Sequence, residues 1–466
     1  MSPQKSVIVV GAGVKGLYIS RELSKLGFQV TVLERSNTAG GKIKTIRSPT
    51  CLHGAFTEMG AMRILESNKV ILRLLENLSV KLFPFIENNG NTPYAINDQQ
   101  GKTKDLNLGV LIDSGLVESN VLEKDKTLSR ETSFSQILDL AFQDANEVRC
   151  QSNNGTHLTV QEYLSVLGER ATVRKCANTV LDLKLGVKGV HNVADVDEFL
   201  KFKKLNTEKS FGVDGGFDNI IYKMTETLLI SNVKMHMKTE VTCINYSRPE
   251  CVSVSCKKIG IDRVETFIGD AVLLACPSLH KIEFLPSLPR VHQDTINKKL
   301  YSECAPAMKS VLRFDECFWQ NSFHGGIVGG TCWMGPSVLN QLILPPLYCQ
   351  KEGHLMIYLL GESVNDWLKY SVDDRIGESL KAIGKLFPSM EGKARKHFKD
   401  ISEAVWNESG SGAYFVFNAE SVRDVLQPID RIVFSPVPRA WIDDALKDGN
   451  VAIDQMQQIF NPRHKL

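Results

Sequence analysis

The sequence predicts an α/β chain, α+β in its overall layout, whose parallel sheet starts at the N-terminus and is completed by segments far downstream. Three observations carry this. An apolar run leads directly into a glycine-rich turn, a second apolar run ends in a carboxylate, and strand-like patterns recur after residue 230. Ser6-Val7-Ile8-Val9-Val10 has the unbroken β-branched character of a strand buried on both faces. Gly11-Ala12-Gly13-Val14-Lys15-Gly16 follows, and residues 16–26 then show helical apolar spacing, ended by Gly27, where a left-handed cap costs least. Phe28 to Leu33 reads as the second strand, with Glu34 at its carboxyl end. Three glycines in six residues are weak evidence alone, but a β-α-β frame with a placed carboxylate makes them a Rossmann-like fingerprint. Gly11 then allows the tight turn, Gly13 lets backbone approach a pyrophosphate, Gly16 lets helix and strand pack closely, and Glu34 accepts hydrogen bonds from an adenosine ribose.

Two further motifs follow: Thr38-Ala39-Gly40-Gly41-Lys42-Ile43-Lys44-Thr45, and Glu58-Met59-Gly60-Ala61-Met62-Arg63. From residue 66 to about 208 the pattern reads as a helical insertion with polar stretches at 98–105 and 123–133. Phe211 to Phe217 precedes an amphipathic helix at 219–230, and 233–241 reads as two short strands around a turn. Asp270 to Pro277 gives another buried strand, and residues 308–314 and 354–360 give β-rich runs separated by Gly/Pro loops, as in a second sheet.

A chain of 466 residues predicts two or three domains rather than one core. Its net charge is only +2 and no basic block occurs, which argues against a nucleic-acid partner. Apolar runs such as residues 271–276 fall far short of the ~20 residues that span a bilayer, so no membrane partner is expected. The first strand begins within six residues, leaving no room for a signal peptide. Eleven scattered cysteines suit reduced thiols, so a cytoplasmic location is expected; Cys251 and Cys256 lack the second pair that a zinc site needs, so no metal is expected.

The glycine fingerprint, Gly40-Gly41-Lys42 and the motif ending at Arg63 together resemble flavin-dependent L-amino acid oxidases of the amine oxidase superfamily, most of all the bacterial L-tryptophan oxidases of violacein-type indole pathways. The resemblance runs in order along most of the chain and implies noncovalently bound FAD, since no histidine or cysteine stands in an attachment motif. It implies a discontinuous Rossmann-like FAD-binding domain of the amine oxidase type at 1–65, 209–280 and 401–466. The helical insertion at 66–208 then serves as a cap, and residues 281–400 as a β-sheet substrate-binding domain. Family members end the glycine pair with arginine where this chain has Lys42, a point charge in place of a planar fork. Gly60, Ala61, Met62 and Val241 fall where the family contacts FAD, Val241 through backbone near the adenine.

Arg63 matches the arginine that pairs with the substrate carboxylate, a role that suits a guanidinium fork; pairing with an FAD phosphate or a surface acid is the alternative. Lys309, in Pro306 to Phe314, matches a lysine that holds water near flavin N5. A lysine inside an apolar strand is costly without a partner, unless the strand lies at a sheet edge. Tyr358 matches a second carboxylate ligand, with a core aromatic as the equal alternative. Trp441, Trp406 and Tyr414 are candidate walls of the pocket, Trp441 also against the flavin. At the C-terminus the pattern departs from the family: Val437 stands where an acidic residue binds the ribityl chain, and Ala440 replaces glycine. One lost hydrogen bond should weaken FAD binding by about 1–3 kcal/mol.

The resemblance implies oxidation of an L-α-amino acid, an aromatic one such as tryptophan favoured, to the imino acid by hydride transfer to flavin N5. Dioxygen is the acceptor, giving hydrogen peroxide, and a homodimer is a candidate assembly. An oxidase, a dehydrogenase and a monooxygenase are not separated by these residues. An amine or polyamine oxidase, and a degenerate non-catalytic flavoprotein, stand as alternatives.

Overall fold

The computed structural model describes residues 4–47, 56–143, 159–166, 171–186, 196, 200, 208–406, 414–415 and 425–461, apart from short gaps at 232, 262, 301–303, 321–325, 345, 347–351, 438 and 440. A five-stranded sheet runs in the order Lys234–His236, Gln29–Leu33, Ser6–Val10, Ala271–Leu274, Ile432–Phe434, with every neighbouring pair parallel. Its apolar runs are continuous because both faces are covered. Val7, Val9, Leu273 and Val433 face one core, shared with Leu17 and Leu23 of helix Val14–Lys25 and with Leu446 and Met456 of helix Ile442–Phe460. Ile8, Val10, Val272 and Leu274 face another, shared with Val241, Ile244 and Val254 of the sheet formed by Val264–Gly269, Val252–Lys258, Thr239–Asn245 and Glu283–Leu285. The first helix begins at Val14, not Gly16, because the turn after Gly13 already has helical backbone; Gly27 takes φ +89° just past its end.

The second large sheet has seven strands in the order Phe398–Trp406, Ala307–Phe314, Gly353–Leu360, Gln341–Ile343, Thr331–Gly335, Pro93–Ile96, Gln99–Lys102. One core packs helix Val372–Leu386 against it; another packs helices Leu108–Asp113, Phe134–Phe142, Val160–Val166 and Ala171–Leu185 around Tyr94, Ala307 and Leu360. The insertion read as helical from residue 66 does open on a helix, Lys69–Asn77, but strands follow it. Leu82–Phe85 pairs with Ser210–Val213 in a small sheet, and the hairpin at 93–102 supplies two strands to the seven-stranded sheet, before α-helices resume at Leu108. Phe398–Trp406 likewise belongs to the substrate-side sheet, while Glu283–Leu285 pairs with the cofactor-side meander.

Candidate active site

A cavity of about 520 Å³ runs from the carboxyl ends of the parallel strands to the face of the seven-stranded sheet. At the first end, Gly11 has φ +104°, outside the range most side chains adopt, and its N–H donates to Leu33 O at 2.8 Å, closing the turn onto the second strand. A Cβ on Gly16 would lie 1.9 Å from Gly11 O, and one on Gly41 would lie 3.1 Å from Gly13 Cα. The Gly40-Gly41 turn thus lies against the fingerprint turn, with Gly40 N–H donating to Ala12 O at 2.9 Å. Gly13, Val14 and Lys15, at the helix start where N–H groups lack intrahelical acceptors, line the cavity. Glu34 accepts from Ala12 N–H at 2.7 Å and Ser36 N–H at 2.8 Å, and Val241 lines the cavity beside it. A cradle whose shape a side chain would destroy, with a carboxylate at the sugar position and cations around it, fits an adenine dinucleotide.

Sequence reasoning missed the most buried of those cations. Lys15 donates to Ser435 O at 2.8 Å and Val437 O at 2.9 Å and lies 3.8 Å from Asp448, which Arg439 holds at 2.7 and 2.8 Å. Burial pulls its pKa down to about 8 against the pull of Asp448, and burial sets Lys42 at about 8 as well. A charged residue inside the fingerprint was the available signal. Val437 offers the cavity an apolar side chain, 5% exposed, with its carbonyl taken by Lys15. Ala440 lies outside the described residues.

At the other end, Met59–Met62 is bolted to Lys42–Lys44: Met59 N–H donates to Lys44 O at 2.8 Å, Ala61 N–H to Lys42 O at 3.3 Å, and a Cβ on Gly60 would fall 1.6 Å from Lys42 O. Strand Ala307–Phe314 lies between Gly353–Leu360 and Phe398–Trp406, so Lys309 is on an interior strand and the sheet-edge alternative does not apply. Its side chain is buried, with Nζ donating to Glu58 O at 2.9 Å and Gly60 O at 2.6 Å. Burial, then the nearby Arg63 charge, bring Lys309 down to about 7, while Glu58 opposes them. The Glu58 carboxyl is itself pushed up to about 7 by burial, although Phe217 N–H and the Thr45 hydroxyl donate to it, each at 2.8 Å.

Tyr358 is the cross-strand partner of Lys309, its ring centroid 5.1 Å from Nζ, and packs with both Met59 and Ala307 clusters. Trp406 Nε1 donates to Met59 O at 3.3 Å, and Trp406 and Trp441 line the cavity with Met62 and Arg63. Tyr414 contributes backbone pairing to Ala305; its side chain lies outside the described residues. Arg63 has an acidic partner, as its alternative reading allowed, but a largely buried one that the sequence did not identify: Glu87, 2.5 Å from Nη1. Glu87 follows strand Leu82–Phe85 in an irregular stretch, so no periodicity linked the two.

Residues 16–440 match the family described as flavin containing amine oxidoreductase. The chain is similar to an L-amino-acid oxidase of Mus musculus, 25% identical over 464 residues, which cover 96% of this chain and 70% of the relative. It is similar also to one of Pseudechis australis, 24% identical over 470 residues, 97% of this chain and 86% of the relative. A solved putrescine oxidase variant shares the fold at TM-score 0.71 and 19% identity, over 98% of this chain and 99% of that one. Cyclohexylamine oxidase from Brevibacterium oxydans IH-35A does so at TM-score 0.71 and 15% identity, over 98% and 100%. The expected amine oxidase fold is therefore present and the cofactor is FAD. A glycine-built cradle that reaches Lys309 across one continuous cavity, and a match over nearly the whole chain, lead to one conclusion: this oxidoreductase belongs to the flavin containing amine oxidoreductase family.

Proposed function

We propose that this enzyme oxidises an L-α-amino acid to its imino acid, with dioxygen as final acceptor and hydrogen peroxide as the second product. The amino acid gives up two electrons and two protons, and dioxygen takes up both. Arg63 carries this reading: a guanidinium, its side chain only 11% exposed, in the same cavity wall as Lys309 and Tyr358. Its fork would bind the substrate carboxylate with help from the Tyr358 hydroxyl, fixing which face of Cα is presented. Leu138, Leu181, Leu185, Trp333, Leu360 and Trp406 line the cavity and favour a bulky apolar side chain, the aromatic group of tryptophan among them. FAD, when bound, supplies the acceptor for the hydride that leaves Cα. Lys309, which takes or releases its proton near neutral pH, would place a cation where negative charge develops as oxygen is reduced.

One observation favours a second reading, an amine as substrate: Arg63 already has a counter-ion in Glu87. Anaerobic titration of the yellow protein with the common amino acids and with their decarboxylated amines decides between them. Bleaching by amino acids, with amines much slower, is expected. Bleaching by amines alone overturns the amino acid reading, and no bleaching by either leaves a non-catalytic flavoprotein.

A further inference from the structure

Glu87 and Arg63 face one another in the cavity wall, their side chains 17% and 11% exposed. They meet in a single close ion-pair contact, Arg63 Nη1 to Glu87 Oε2 at 2.5 Å. The hydrogen bond of Arg63 Nη2 goes to the Met62 sulfur at 3.8 Å, a weak acceptor, so the fork is not taken up by Glu87 in a bidentate pair. Phe85 lies against the guanidinium, its centroid 5.6 Å from Cζ. The segment that carries Glu87 is anchored on both sides: Ile86 O accepts from Gly330 N–H at 2.9 Å, and Asn89 Nδ2 donates to Val328 O at 3.1 Å.

This arrangement sets one negative and one positive group side by side in a largely apolar wall. A ligand bringing only a carboxylate would place two anions on one guanidinium. A ligand bringing only an ammonium would meet Glu87 but also Arg63. A ligand bringing both offers each its complement. We propose that Glu87 is a specificity-determining residue that makes the site select zwitterions, an α-amino acid over the carboxylic acid or the amine with the same side chain. This rests on the amino acid reading above. Lys309 and Lys184 also line the cavity, but Glu87→Gln removes one negative charge whatever their protonation.

The test uses the FAD-loaded enzyme and three ligands of one side chain: L-phenylalanine, 3-phenylpropanoate and 2-phenylethylamine. In the wild type, KM for L-phenylalanine should lie at least tenfold below both the calorimetric Kd of 3-phenylpropanoate and the KM or inhibition constant of 2-phenylethylamine. Glu87→Gln should bind 3-phenylpropanoate about tenfold more tightly and 2-phenylethylamine about tenfold more weakly, while Glu87→Asp, which keeps the charge, preserves the wild-type order. Opposite shifts for anion and cation are what a merely structural glutamate would not produce. Shifts of all three ligands in one direction, no shift at all, or a wild type that binds the anion as tightly as the amino acid would each overturn the proposal. A wild type that turns over no amino acid refutes the amino acid reading instead, and the anion's affinity in the two proteins is still read by heat.

Discussion

In the cofactor cradle, shape is set by backbone atoms within the first 60 residues: Gly16 against Gly11 O, Gly41 against Gly13, Gly60 against Lys42 O. The substrate wall is set by side chains from five stretches spread over residues 63–406, where Arg63, Glu87, Lys309, Tyr358 and Trp406 meet. The cradle tolerates almost no added atom yet needs no particular side chain at its tightest points. The wall depends on the functional groups themselves, so a substitution there should change chemistry before it changes the fold.

The largest expected effect tests the cradle. Gly60→Val would drive a Cβ to 1.6 Å from a backbone oxygen that cannot move aside, and Gly16→Val to 1.9 Å. Each should cost more than about 4 kcal/mol, seen as lost flavin and a collapsed urea midpoint. A variant that keeps FAD and wild-type stability would break the contrast. Next is the wall: Arg63→Met should lose about 3–5 kcal/mol of kcat/KM for an amino acid as the ligand carboxylate goes unpaired, while flavin content holds. Arg63→Lys should fail nearly as badly, because an ammonium cannot make two parallel bonds. Flavin loss in either variant would move Arg63 into the cradle.

Lys309 belongs to both regions, since its ammonium clamps the carbonyls of Glu58 and Gly60, and Lys309→Met should cost about 1–3 kcal/mol for the acceptors left unpaired. The sign with pH follows from its lowered pKa. Between about 7 and 10.5 the unfolded lysine holds a proton that the folded one has lost, so stability rises with pH across that window. Glu58, raised from 4.5 to about 7, works oppositely, stability falling as pH rises between those values. Urea unfolding of wild type and variant from pH 5 to 10 should show the rise above 7 diminished in Lys309→Met, and parallel curves would refute the assignment. The smallest effect is Trp406→Phe, which loses one hydrogen bond to Met59 O and should cost about 0.5–1.5 kcal/mol with FAD retained.

This contrast also explains what the sequence could reveal. Gly11 to Glu34 and Gly40-Gly41 were legible because a turn that only glycine can make is written in a few adjacent residues. Lys309 was legible because a charge inside an apolar strand demands a reason, and the interior position of that strand supplies one. Glu87 left no trace, since its pairing with Arg63 joins two irregular stretches and obeys no period. Strands 82–85 and 93–102 hid within a segment read as helical because Pro84, Pro93 and the Asn/Gly turn between them interrupt the alternation that marks a strand. Lys15 sat in plain view, but its partners Ser435, Val437 and Asp448 lie more than 400 residues away.

The strand order of the parallel sheet bears on how the chain is made. Of its strands the central one, Ser6–Val10, is made first, its immediate neighbour Ala271–Leu274 only after the first two strands of the seven-stranded sheet, and the edge strand Ile432–Phe434 last, after the other five of that second sheet. A nascent chain stopped anywhere between residues 275 and 431 would carry Ala271–Leu274 with one side of its ladder unpaired, a fully apolar edge open to other chains. Premature termination in that interval should yield aggregates, not a smaller working enzyme.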